Sequence, residues 1–209
     1  MAWLLQTDEF QTDWYDAPIL GIAAQMGLHD SGEHTHEMGQ LLFTQQGCIR
    51  ISLENKISLL PPGRVAWIPP FIQHRAQMRA SVGYRSVYLN QDYSAQISSN
   101  VSILKVSPLL RELLEIIALT SFDSDWKEGR LANLIPVFID ELQSATTEPT
   151  LLSFPQDRRF NGLDMELLPP PLNVLAQTIG ASEKTISRIF LRETGMTYQA
   201  WRQQWRFIK

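Results

Sequence analysis

The sequence predicts an α+β protein: an N-terminal antiparallel β-barrel, a helical segment and a C-terminal all-α helix-turn-helix. Three observations predict it. Short apolar runs separated by turn residues fill residues 18–90. The apolar spacing then changes to a helical one over 107–145. Near the C-terminus, Leu175-Ala176, Gly180-Ala181-Ser182, Ile186 and Ile189 are spaced as two short helices across a tight turn.

The strand candidates are Ile19–Met26, 40–44, 48–53, 65–68 and 85–89. Asp30-Ser31-Gly32, Gln45-Gln46-Gly47, Glu54-Asn55 and Pro61-Pro62-Gly63 punctuate them. Short strands at this spacing build a sandwich or barrel. The first helix is expected over 107–121, with Ser107 as its cap and Pro108 at its first position. A second is expected over 129–145, where Leu131, Leu134, Ile135, Phe138, Ile139 and Leu142 recur at helical spacing. Both are unusually apolar. They read either as a cover for the barrel or as a dimer interface, and the two readings are compatible. Residues 146–170 read as a proline-marked linker with a short helix over 158–168, weakened by Asn161-Gly162. The expected domains are 1–104 (sensor), 105–145 (helical hairpin, dimerisation), 146–170 (linker) and 171–209 (helix-turn-helix).

A chain of 209 residues with 44% hydrophobic content can bury a proper core. Cys48 is the only cysteine, which excludes an intramolecular disulfide and fits a reducing cytoplasm. No signal peptide or membrane-spanning run is legible, so no membrane partner is expected. The net charge of −4 is unevenly divided. Residues 171–209 hold six basic groups (Lys184, Arg188, Arg192, Arg202, Arg206, Lys209) and two acidic ones (Glu183, Glu193). That part carries +4 and the remainder −8. A basic tail on an acidic body is the asymmetry of a DNA-binding module joined to a sensor.

Three of the chain's four histidines fall in one pattern. His34 and His36, two apart, would share a strand face, and Gln40 lies at the same parity. His74 follows Pro69-Pro70. In a small barrel these side chains converge on one interior point. Three imidazoles leave coordination positions open for water or a ligand. Alternatively, they hydrogen-bond an organic ligand or one another. Trp67, Phe43, Tyr84 and Tyr88 are candidate aromatic walls, or simply core.

His34, His36, Gln40 and Gly47, then Gly63, Pro69 and His74, resemble the two motifs of the cupin superfamily. The resemblance implies a metal site of His34, His36, Gln40 and His74, holding zinc, nickel or iron. It departs from the pattern at Gln40, where cupins carry glutamate. It also departs at Phe71, where the second motif usually has glycine, and at Met78, where it often has asparagine.

In the C-terminal pair, Gly180 is expected at positive φ in the turn, and Ser182 is expected to cap a helix over 183–193. Leu175, Ile179, Ile186 and Ile189 face inward. Lys184, Ser187, Arg188, Leu191 and Arg192 face outward as the candidate DNA contacts. Arg188 suits a guanine edge; Lys184 and Arg192 suit phosphates. The string from Ser182 to Thr197, with Arg188, Phe190 and Glu193-Thr194-Gly195, resembles the AraC/XylS family of bacterial transcription regulators. Trp201-Arg202 and Trp205-Arg206 resemble the start of that family's linker helix.

Together the motifs resemble family members with a cupin sensor. They imply a dimeric, ligand- or metal-responsive regulator that binds promoter DNA and acts with RNA polymerase, not an enzyme. This sequence stops at Lys209, inside the resemblance to the linker helix. The second helix-turn-helix of the family is then missing, and weak operator binding is expected. Two alternatives remain at this stage: a metal-dependent cupin enzyme (dioxygenase or isomerase), or a dimerisation module that sequesters partners.

Overall fold

A computed structural model describes residues 2–5, 8, 10–148, 151–163 and 167–208, with side chains through residue 206. Two compact units are present. The first comprises Met1–Ile51 and Leu60–Pro149; the second comprises Ser52–Leu59 and Thr150–Lys209.

The first unit is built on a seven-stranded sheet. Its strands are β1 (Trp3–Leu4), β2 (Ile19–Met26), β4 (Gly39–Thr44), β7 (Arg64–Ile68), β9 (Val82–Leu89), β10 (Ser102–Lys105) and β11 (Thr147–Glu148). Their order is β1-β2-β9-β4-β7-β10-β11. All the neighbouring pairs are antiparallel except β1 with β2. A second layer contains β3 (His29–Asp30), β5 (Ile49–Leu53) and β8 (His74–Met78) in the order β5-β8-β3.

Alternation along the strands sorts the side chains between two faces. Ile19, Leu41, Phe43, Val65, Trp67, Val87 and Leu89 share one core cluster with helices α2 (Pro108–Ala118) and α3 (Gly129–Ser144). From the helices come Leu110, Leu113, Leu114, Ile117, Phe138 and Leu142. The expected helices therefore cover this sheet face. Ser107 caps α2, its Oγ accepting from Leu110 N at 3.0 Å, and Pro108 opens the helix. At Gly21 a Cβ would lie 1.9 Å from the Ile117 carbonyl oxygen, so only glycine lets α2 approach β2 this closely. Arg85 on β9 donates to both carboxylate oxygens of Glu115 on α2, and its guanidinium lies 5.1 Å from the Trp3 ring centroid. Phe43 and Trp67, candidate pocket walls in the sequence, sit on this helix-covered face, because odd-numbered residues of β4 and β7 point to the helices.

The second unit holds helices α4 (Leu172–Ile179), α5 (Glu183–Thr194) and α6 (Tyr198–Ile208). Gly180 ends α4 at φ 64°, in the left-handed region. Ser182 caps α5, its Oγ accepting from Thr185 N at 3.2 Å. Leu175, Ile186, Ile189, Phe190, Tyr198, Trp201 and Trp205 form the core with Ile57, Leu152 and Phe160. The last three enter this core from β6 (Lys56–Leu60), β12 (Leu152–Ser153) and a 3-10 turn, Arg158–Phe160. β12 pairs with β6 through Leu152↔Ile57 and Ser153↔Lys56. Trp201 Nε1 donates to Ser153 O at 2.7 Å.

Two features differ from the sequence reading. The stretch 146–170, expected as a linker, holds β11, β12 and the 3-10 turn, because Leu152 and Phe160 have apolar partners to reach. Of the helix expected over 158–168 only that 3-10 turn is seen; residues 164–166 lie outside the described residues.

Candidate functional site

The face of the seven-stranded sheet turned away from α2 and α3 presents Ile22, Gln40, Tyr84, Ser86 and Tyr88 toward the second layer. A cavity of about 510 Å³ opens there. His34, His36, Gln40, His74, Ala76, Met78, Tyr84 and Tyr88 line it. So do Leu4, Leu5, Phe10 and Gln11 of the N-terminal segment. Phe10 packs 5.7 Å from Tyr88 and 5.6 Å from Phe122, ring centre to ring centre.

The histidines are brought together differently from the sequence reading. His34 and His36 do not sit on a regular strand. His34 makes an isolated antiparallel bridge to His74, with both backbone hydrogen bonds at 3.0 Å. His36 lies in a loop, its carbonyl accepting from Phe71 N at 2.9 Å. His74 opens β8, where Ala76 and Met78 share its face. Asp30 anchors the approach. It pairs with Arg75 through two hydrogen bonds, accepts from Gly32 N at 3.0 Å, and its carboxyl is held well below the usual range, chiefly by Arg75.

One ring nitrogen from each of His34, His36 and His74 lies within 4.8 Å of the others. Each Nδ1 meets a backbone carbonyl: His34 with Gly32 at 3.1 Å, His36 with Met38 at 2.5 Å and His74 with Ile72 at 2.8 Å. A carbonyl only accepts, so each Nδ1 carries a proton, and in a neutral ring the lone pair is then left on Nε2. His74 is 2% exposed, and its Nε2 is buried with no hydrogen-bond partner among the described residues. Burial lowers the pKa of His36 and takes that of His74 down to about 4, keeping both rings neutral near pH 7.

Gln40 completes the set. Its Nε2 donates to Ser86 Oγ at 2.9 Å and Tyr88 Oη at 3.1 Å, which turns its Oε1 to His36 Nε2 at 3.3 Å. With the proton on His36 Nδ1 and the ring neutral, acceptor faces acceptor, an arrangement compatible with a cation bound by both. Carbonyl-bound imidazoles with free Nε2 atoms are the arrangement that orients histidines for a metal. Burial raises the pKa of Tyr84 and of Tyr88, so both hydroxyls stay neutral.

Sequence reasoning found the histidines, Gln40 and the two tyrosines. It missed Ser86, although the alternation Val82, Tyr84, Ser86, Tyr88 along one strand signals it. It also missed the N-terminal residues, whose short segment carries no periodic pattern.

The candidate DNA contacts lie on α5 of the second unit. Lys184, Arg188 and Arg192 are exposed, Leu191 is 58% exposed, and Ser187 is partly exposed. Ile186, Ile189 and Phe190 take the buried side. Arg192 donates to Glu193 at 2.5 Å.

The chain is 29% identical over 212 residues to the HTH-type transcriptional regulator NimR of Escherichia coli K12, covering 98% of this chain and 77% of that protein. Among solved structures, the AraC-like transcriptional activator CuxR aligns with 87% of this chain and 73% of its own, at TM-score 0.44 and 10% identity. Apo ToxT K231A from Vibrio cholerae aligns with 92% of this chain and 81% of its own, at TM-score 0.44 and 6% identity. The family model of the AraC-like ligand binding domain matches residues 17–134, more than half of the chain. That span holds the histidines, Gln40 and the tyrosines of the cavity, and the chain belongs to the AraC-like ligand binding domain family.

Proposed function

We propose that this chain is a ligand-responsive transcription regulator that takes its effector in the histidine-lined cavity and reads promoter DNA with α5. The observation that carries the reading is the succession on one chain of the family's ligand-binding domain and a capped, outwardly basic α5. The relative NimR is named as an HTH-type transcriptional regulator, and the family is named for ligand binding. Both favour the regulator over the cupin-enzyme alternative.

In the DNA-reading unit α4 braces α5, and Gly180 supplies the left-handed residue of the turn between them. Arg188 would read a base edge, with Lys184 and Arg192 on phosphates. Exposed Leu109 and Leu119 at the ends of α2, with Val137 on α3, support a homodimer through this helical pair. Among the described residues no helix is long and apolar enough to cross a membrane.

Within the cavity, His34, His36 and His74 would hold a divalent ion such as zinc, nickel or iron, with Gln40 Oε1 as a neutral fourth donor. Such an ion supplies a Lewis-acidic point for a lone pair of the effector. Tyr84, Tyr88 and Phe10 give that effector flat apolar walls, and Ser86 holds Gln40 in place.

The regulator reading is tested by selecting genomic DNA fragments on the purified chain. The wild type enriches a defined sequence, and Arg188→Ala loses that preference while keeping its far-UV circular dichroism. No enriched sequence at any salt concentration sinks the reading. The ion is tested by elemental analysis after dialysis against zinc or nickel: near-stoichiometric metal in the wild type, lost in His34→Ala/His74→Ala. Equal metal content in both rejects the site.

A further inference from the structure

Helix α6 buries Tyr198, Trp201 and Trp205. Its other side carries Gln199, Arg202, Gln203 and Arg206, at the spacing i, i+3, i+4, i+7 that puts all four on one stripe. The four line a hollow of about 280 Å³ closed by Pro171, Leu172 and Tyr198. Among the described residues no carboxylate lines the hollow, and none lies on α6. The floor is fixed by two bonds to the proline run that leads into α4. Tyr198 Oη donates to Pro170 O at 2.5 Å, and Arg202 Nε donates to Pro169 O at 2.6 Å. Arg206 is exposed and has no ion-pair partner among the described residues.

We propose that this stripe is a second DNA-binding surface, at which Arg202 and Arg206, flanked by Gln199 and Gln203, hold the phosphodiester backbone of duplex DNA. The inference rests on the DNA-reading proposal above and extends it from α5 to α6. Charge complementarity selects the occupant. The span 171–209 carries +4 on a chain of net −4, and this face of it presents two cations and, among the described residues, no anion. Two guanidinium forks and two carboxamide donors match phosphate oxygens and carry no sequence information. The contact therefore orients the unit on the duplex without specifying bases.

The test is the salt dependence of binding to a labelled duplex of mixed sequence, read by fluorescence anisotropy between about 50 and 200 mM salt. Arg206→Ala is expected to weaken binding roughly tenfold at about 0.1 M salt and to lower the slope of log K on log salt by about 0.9. Arg206→Lys restores most of both. Arg111→Ala on α2 removes an exposed cation of equal charge and leaves the slope unchanged. If Arg206→Ala binds like the wild type while Arg188→Ala is weakened, the α6 surface is overturned and the α5 reading stands. If the wild type shows no affinity for DNA at the lowest salt, both fall.

Discussion

Phe71 has φ 64° and is the single non-glycine residue in the left-handed region among the described residues. It stands at the position where the cupin motif usually has glycine. The sequence marks it as a departure; the structure shows that the backbone keeps the glycine conformation and bears the strain. Its N–H holds the His36 carbonyl, so the turn that positions His36 and His74 depends on this φ. Left-handed backbone costs a side-chain-bearing residue about 1–2 kcal/mol. Phe71 is 60% exposed, so little burial offsets that cost. Phe71→Gly is expected to raise stability by up to about 1 kcal/mol, since the strain relieved exceeds the extra freedom of glycine in the unfolded chain. Phe71→Val is expected to lower stability by about 1 kcal/mol, because a β-branched residue tolerates this region least. Urea midpoints measure both, and a valine variant as stable as the glycine variant refutes the assignment of strain.

The elements were largely legible because each carries its own local signal. Ser107-Pro108 start α2 as the capping rules require, and Ser182 does the same for α5. Strands β2, β4, β5, β7 and β9 arise where apolar runs meet turn residues. What no local signal announces is how close elements come. Gly21 sits in the middle of β2, where glycine normally weakens a strand. Its reason lies across the layer, in the Ile117 carbonyl of α2. Gly21→Ala is expected to push α2 off the sheet and to cost about 2–3 kcal/mol, the upper range for overpacking. Thermal unfolding followed by circular dichroism measures it, and an unchanged midpoint means that α2 moves aside freely. Residues 146–170 show the converse. Prolines and polar residues hide Leu152 and Phe160, whose partners Ile57 and Phe190 are distant in sequence.

At the scale of the whole molecule, the second unit is not a simple C-terminal piece. Ser52–Leu59 belongs to it, although this segment interrupts the first unit in sequence. Ile57 is fully buried among residues of α4, α5 and α6. The sequence by itself determined the α+β class, the helix starts, the histidine set with Gln40 and the basic face of α5. These depend on periodicity, capping and residue spacing, which act within a few residues. Only the tertiary structure decided that His34 reaches His74 through a single bridge, and that each Nδ1 is held by a carbonyl so that each Nε2 faces inward. It also decided that Phe43 and Trp67 serve the helix-covered core while Tyr84 and Tyr88 wall the cavity. Those outcomes depend on which distant strands pair and which face each turns inward, and a one-residue change in register reverses every such assignment.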